Sequence, residues 1–263
     1  MSITVAEKLA EAMPDASWIL SEEPEMESTL HYAQLALLVY TLEWFWRERR
    51  DYFIGANLTI YFSREGLKMR DFRGPDFFLV KGTENRPRAS WVVWEEGGRY
   101  PDLIIELLST STAETDRELK KDLYQNRFRT PEYFWFSPDT LEFKGFRLVG
   151  GKYHEIIPDD RGRRWSDELG LYLGVENRLL RYFTFDGELI LTLQESVERE
   201  MQIAIQALRE ADTARQLAEQ EAQRAEQEAR RAEQEARRAE QEAQRAERLA
   251  ARLREIGVDP EKI

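Results

Sequence analysis

Apolar positions along the first three quarters of the chain fall into two rhythms. Across residues 27–50 they recur at helical intervals. Leu30, Leu35, Leu37, Val39, Leu42 and Phe45 are available to pack, so a helix is expected. It gives way where Trp44-Phe45-Trp46 meets the charged run Arg47-Glu48-Arg49-Arg50-Asp51. Residues 58–62, 76–80 and 90–95 are short β-branched and aromatic runs bounded by polar residues, and they predict strands. Residues 103–108 are apolar throughout apart from Glu106, the pattern of a strand buried on both faces. A helix is expected over 112–128, with Leu119, Leu123 and Tyr124 on its inner face, and a strand over 133–137. Strands over 142–149 and 153–157 flank Gly150-Gly151 and read as a hairpin. Gly97-Gly98 also reads as a hairpin turn. Residues 189–193 are either a last strand or the start of the next helix. This alternation points to an α/β sandwich around a mixed sheet with flanking helices.

The pattern changes near residue 196. Before that point lie every Trp, Tyr, Phe, Gly and Pro except Gly257 and Pro260. Beyond it AEQEAQR starts at Ala218, AEQEARR at Ala225 and Ala232, AEQEAQR at Ala239 and AERLAAR at Ala246. Alanines spaced by four and three form one stripe on a long helix, and Glu and Arg are interleaved to pair along it. Gly257 stops the helix and Pro260 follows. Such a tail either forms a coiled coil, dimerising or docking a partner, or stands alone as a solvated helix. The alanine stripe buries little area per turn, which keeps the second option open. The expected division is a domain over 1–195, a heptad helix over 196–257 and a short end over 258–263.

Composition narrows the classes. Cysteine is absent, so disulfides and thiolate metal sites are excluded. The opening residues lack a basic start followed by an apolar run, and no apolar stretch approaches the roughly 20 residues a membrane helix needs. A soluble cytoplasmic protein that makes no membrane contact is expected. The net charge of −12 opposes tight non-specific nucleic-acid binding unless basic residues cluster, but it suits an enzyme with an acidic metal pocket.

Candidate chemistry centres on Pro101 to Thr112, PDLIIELLSTST. In a strand, Asp102, Ile104, Glu106 and Leu108 share one face. Glu106 is then a carboxylate among core residues and needs a partner, either a divalent cation or a lysine, unless its face opens to solvent or it serves in a structural ion pair. Asp76, behind Pro75 at the start of an apolar strand, converges on the same cation if the two strands are neighbours; otherwise it is an ordinary strand-start aspartate. Asp116, Lys120 and Tyr124 stand four apart on one helix face. Lys120 can therefore face phosphate charge or an attacking water, or simply pair with Asp116. Lys121 lies on another side of that helix. Lys68, Arg70, Arg73, Arg117, Lys121, Arg127 and Arg129 flank these motifs and make a possible basic rim, or ordinary surface charge. His31 and His154 stand in no ligand spacing and read as structural, and the tryptophans read as core.

These motifs, in this order, resemble the Uma2 family (the DUF820 group), a bacterial family assigned to the PD-(D/E)xK nuclease superfamily. The family run PDxxxEVLSPST, then DxxxKxxxY, then PEYWxVDP, is matched by PDLIIELLSTST, by Asp116, Lys120 and Tyr124, and by PEYFWFSPD from Pro131 to Asp139. Its upstream PDxxxV is matched by Pro75-Asp76 through Val80. Thr110 stands where the family usually has Pro, Arg129-Thr130 replaces Gly-Val, and the first helix departs from the short Glu-Leu-x-x-Gly opening. The resemblance implies a restriction-endonuclease-like mixed sheet. It makes Asp76 and Glu106 metal ligands, with Asp102 as a further ligand or structural residue. Leu108 occupies the usual strand-lysine position, so Lys120 is implied to replace that lysine. The implied protein is a Mg2+- or Mn2+-dependent endonuclease acting on DNA, with Arg73, Arg117 and Lys121 as DNA contacts, and a homodimer through domain or tail. The alternative is an inactive nuclease-fold scaffold that assembles through its coiled coil.

Overall fold

The computed structural model describes residues 20–21, 28–62, 72–108 and 115–255; of residues 72–73, 115–117 and 253–255 it describes the backbone alone. Lys68 and Arg70 of the expected rim lie outside these residues, as do the side chains of Arg73, Asp116 and Arg117. The chain divides into two compact units, Met1–Ser196 and Val197–Ile263.

The first unit is built on a six-stranded mixed sheet in the order β1-β4-β6-β7-β8-β9. Its strands are β1 (Tyr52–Ala56), β4 (Phe77–Lys81), β6 (Leu103–Leu107), β7 (Glu132–Phe136), β8 (Phe143–Val149) and β9 (Lys152–Glu155). All neighbours are antiparallel except β6 and β7, the pair joined through helix α2 (Thr115–Leu123). A parallel pair requires such a crossover. β6 is central because its side chains are apolar on both faces. Leu103, Ile105 and Leu107 join a core beneath helix α1 (Thr29–Phe45), whereas Ile104 and Leu108 join one with Tyr124 and Phe128 at the end of α2.

The α1 face also carries a small antiparallel sheet of β10 (Arg164–Ser166), β11 (Leu171–Glu176) and β12 (Leu179–Phe183). Leu171, Leu173, Leu180 and Tyr182 pack with Leu35, Leu38 and Leu42 of α1. Gln34, fully buried, seals that contact. Its Nε2 donates to the Leu180 carbonyl (3.0 Å) and its Oε1 accepts from the Leu180 N–H (2.9 Å). A third sheet orders β3 (Phe72–Arg73), β2 (Ile60–Tyr61) and β5 (Trp91–Val92), with β2 and β5 parallel.

Several expectations need correcting. Residues 58–62 and 90–95 yield only the two-residue strands β2 and β5. β5 pairs with β2, so Gly97-Gly98 closes a turn and no hairpin. Gly150-Gly151 does join the β8–β9 hairpin, with φ of 60° and 84°, as a tight two-residue turn demands. Leu30 and Phe45 are exposed, and Leu119 is 62% exposed. The helix expected up to Phe128 ends at Leu123 and passes into a π-helical turn, Tyr124–Phe128, closed by Arg129 in the left-handed region (φ 55°). Tyr124 and Phe128, at the two ends of the wider turn, are buried, whereas Leu119 in the α-helix before it is not. Strands β1, β3, β10, β11 and β12 are additions to the expected set.

Two glycines mark close contacts across the main sheet. A Cβ on Gly55 would overlap the Phe78 ring, and one on Gly145 would overlap the Phe134 ring with Arg164 Cδ 3.2 Å away. Phe134 is fully buried and has nowhere to move. Gly145→Ala is expected to cost about 2 kcal/mol, the scale of overpacking, and to lower the melting temperature by roughly 4 to 8 °C. Thermal denaturation followed by circular dichroism checks this, and an unchanged melting point would mean that β8 shifts freely against β7.

The second unit is a helix. α3 runs from Leu193–Glu255, 63 residues, and its first four residues belong to the first unit. From Val197 to Arg252 it is exposed almost throughout, with Ile205 and Ala250 part-exposed. Arg215–Glu219 (3.1 Å), Glu226–Arg230 (2.6 Å) and Glu233–Arg237 (2.7 Å) pair one turn apart within it. The alanine stripe belongs to a heptad frame that begins at Val197 and Met201, runs through Ala204, Leu208 and Ala211, and continues from Ala218 to Ala250 with Arg215 as a charged interruption. From Glu219 to Glu247, the positions beside the stripe are Glu on both sides except Leu249 at the end. Its arginines lie farther round the helix.

Candidate active site

The site forms where β4 begins and β6 ends. The register that pairs Phe77 with Ile105 carries Asp76 opposite Glu106. Asp76 is held from two directions. Its Oδ2 accepts the Leu107 N–H (2.7 Å), and its Oδ1 meets His31 Nε2 (3.0 Å). The histidine comes from the first turn of α1. Ser28 caps that helix, its Oγ accepting the His31 N–H (3.1 Å), so the cap that starts α1 also fixes the turn that reaches Asp76.

Glu106 is 1% exposed. Its Oε1 accepts the Tyr124 hydroxyl (2.6 Å) and its Oε2 accepts Lys120 Nζ (3.1 Å). Both donors come from the α2 segment, four residues apart, with Tyr124 delivered by the π-helical turn. Burial pushes the Glu106 carboxyl up to about 7; Lys120 pulls it down, Asp76 pushes it up, and the hydrogen bonds from Tyr124 and Lys120 pull it down. Burial and the Glu106 charge likewise hold the Tyr124 phenol well above its ordinary value. The sign of the linkage is unfavourable to the charged site. A carboxyl raised from 4.5 to about 7 gives stability that is present below pH 4.5 and lost as pH rises through 7. The metal-free fold carries a carboxylate that resists ionising.

Three sequence candidates, Asp76, Glu106 and Lys120, therefore meet. Asp102 does not join them. It shares the Glu106 face but stands four residues away, about 13 Å along the strand. Its Oδ2 accepts the Lys81 N–H (2.6 Å) at the far end of β4, where Lys81 also pairs with Glu168. Burial raises the Asp102 carboxyl, against the lowering pull of that N–H. Lys121 is half-buried, with Nζ 3.5 Å from the centre of the Phe146 ring, and burial lowers its ammonium. His31, read from sequence as structural, touches the site; its proximity to a helix cap was the sole local signal.

Among the described residues no three His, Cys, Asp or Glu side chains are grouped to hold a metal ion. Two carboxylates from neighbouring strands are what remains. That set suits a hard, well-hydrated cation such as Mg2+, which takes one or two carboxylates and completes its shell with water and phosphate. Lys120 already lies on the buried Glu106, and a divalent cation between Asp76 and Glu106 would balance the two carboxylates beyond that single ammonium.

A mixed sheet with an aspartate at the start of one strand, a buried glutamate on its neighbour and a helix lysine on that glutamate defines an α/β domain with a paired-carboxylate site. The Uma2 family, described as "Putative restriction endonuclease", matches residues 18–186, and the chain belongs to that family. No curated protein matches the chain. A solved structure from Anabaena variabilis ATCC 29413, described as "a putative nuclease belonging to DUF820", is similar at 17% identity with a TM-score of 0.41, over 56% of this chain and 76% of that one. No helix among the described residues is long and apolar enough to cross a membrane.

Proposed function

We propose that the chain is an endonuclease that hydrolyses phosphodiester bonds in DNA with Mg2+ or Mn2+ as cofactor. The observation that carries this reading is the meeting of Asp76, Glu106 and Lys120 at one end of β4 and β6. Asp76 and Glu106 would hold the cation, which when bound supplies Lewis-acid polarisation of the phosphate and a water acidic enough to attack near neutral pH. The chain supplies the rest. The Leu107 N–H and His31 keep Asp76 in place, and Tyr124 keeps Glu106 in place. Lys120 is partly exposed on Glu106, so its ammonium can turn to the oxygens of a phosphate as their charge grows. Arg73 and Arg117 are proposed DNA contacts by their sequence positions beside Asp76 and Lys120; Lys121 is a weaker one because its ammonium already lies on Phe146.

The test is cleavage of mixed single- and double-stranded DNA by the full chain with Mg2+ or Mn2+, beside Asp76→Asn and Lys120→Ala. Lys120→Ala should lose about a hundredfold to a thousandfold in rate and keep its metal affinity. Asp76→Asn should lose both, with affinity read by calorimetry. Equal rates in all three proteins would sink the assignment. A second reading, an inactive nuclease fold that assembles through α3, is favoured by the heptad frame on that helix. A chain that stays monomeric in sedimentation at every concentration tried would remove self-assembly from it.

A further inference from the structure

Beside the site, α1 and β1 enclose a hollow of about 420 Å3 that the nuclease chemistry does not use. Tyr32, Ala36 and Tyr40 lie along one face of α1, with Leu35 and Val39 behind them, and Ala56 and Asn57 close the β1 side. We propose that this hollow is a subsite for an unpaired nucleobase of the substrate strand. The inference rests on the nuclease reading and extends it to the kind of DNA that is cut.

Three observations support the occupant. Tyr32 and Tyr40 are 61% and 65% exposed, so two aromatic rings face outward although the chain buries most of its others. They stand two helical turns apart, about 12 Å, with the small side chains of Ala36 and Ala56 leaving room between. Aromatic rings around an apolar hollow accept the flat face of a base of any sequence. None of the described lining residues is charged, so the hollow is unsuited to phosphate and suited to the uncharged part of a nucleotide. Two of its lining residues also adjoin groups that hold Asp76. Tyr32 follows His31, which holds Asp76 at 3.0 Å, and the Asn57 N–H donates to the Asp76 carbonyl at 2.8 Å. A strand whose phosphate lies at Asp76 and Glu106 then has a neighbouring nucleotide beside Tyr32. A paired base cannot enter, so the substrate is single-stranded, frayed or flipped at that position.

The experiment uses the full chain in a Glu106→Gln background, which should keep DNA binding and lose cleavage. An oligonucleotide carrying 2-aminopurine is titrated as a single strand and as a duplex, with Tyr32→Ala, Tyr40→Ala and Tyr32→Phe compared. Wild-type cleavage is run in parallel. Each alanine variant should weaken single-strand binding by roughly 5- to 100-fold and relieve the quenching of 2-aminopurine, while duplex affinity stays put. Tyr32→Phe should keep the wild-type behaviour. Cleavage by the wild type, with single-strand binding unchanged in both alanine variants, would overturn the subsite and leave the nuclease standing. No DNA binding or cleavage by any protein would overturn both.

Discussion

Glu106→Gln is expected to abolish metal-dependent cleavage, by about a thousandfold or more, and at the same time to make the metal-free protein more stable at pH 8. The two effects share one cause. A glutamine has the shape of the protonated glutamate and can still accept from Tyr124, but it cannot offer a full negative charge to a cation. Loss of several kcal/mol of charge stabilisation, at about 1.4 kcal/mol per tenfold, gives the rate effect. The gain in stability follows from the carboxyl being raised from 4.5 to about 7. Ionising it in the fold at pH 8 costs about 3 kcal/mol relative to the unfolded chain, and the amide avoids that cost. With a chelator present, the variant should match the wild type near pH 4.5 and melt increasingly above it as pH rises through 7. Added Mg2+ should raise the wild type and leave the variant where it is. A variant less stable than the wild type at pH 8 would show that Lys120 and Tyr124 already compensate the charged form.

Glu132→Ala is expected to be the most damaging single truncation, at about 3–5 kcal/mol. Glu132 opens β7 and is 1% exposed. Its Oε1 accepts from Arg147 Nε (3.1 Å), Arg147 Nη2 (2.9 Å) and the Asp167 N–H (2.9 Å). Its Oε2 accepts from the Ser166 hydroxyl and the Glu168 N–H (3.3 Å). One side chain therefore binds β7 and β8 of the main sheet to the end of β10. Its removal leaves Arg147 with only Asp167 and the Trp165 carbonyl, and takes the acceptor from the buried Ser166 hydroxyl and from two backbone N–H groups together. Melting should fall by roughly 6 to 20 °C, while Mg2+ affinity per folded molecule is retained because Glu132 does not touch Glu106. A fall below about 3 °C would mean that water replaces the lost oxygens.

The same residues show how far a sequence can be read. β6 announced itself by an apolar run, and Glu106 by being its one interruption. The four-residue spacing of Lys120 and Tyr124 placed both donors correctly on Glu106. Strand alternation also put Asp102 on the right face, but alternation carries no information about distance along the strand, and Asp102 went to Lys81. The Leu119 error was one of face: the side of α2 that carries Lys120 and Tyr124 turns to Glu106, and Leu119 falls outside it. His31 was missed because its partner is 45 residues away and is brought to it by the β1–β4–β6 pairing. Glu132 was visible as part of a motif, yet three of its four partner residues, Ser166, Asp167 and Glu168, come from β10 and the turn after it, which had not been assigned.

The acidic flanks of the α3 stripe have a consequence for helical phase. A strict seven-residue repeat drifts about 20° per heptad on a straight helix. From Val197 to Ala246, seven heptads, the stripe turns by about 140°. On a lone α3 the alanines and their glutamates wind part of the way round the helix and present no continuous strip to anything. Only a left-handed supercoil with another helix would straighten the stripe, and it would bring the rows of glutamate against that neighbour. A second copy aligned along the stripe would meet them with glutamates of its own, whereas a neighbour edged with lysine or arginine would neutralise them. A helix laid along the repeat would therefore follow a left-handed path, and the rows of glutamate would favour one unlike α3.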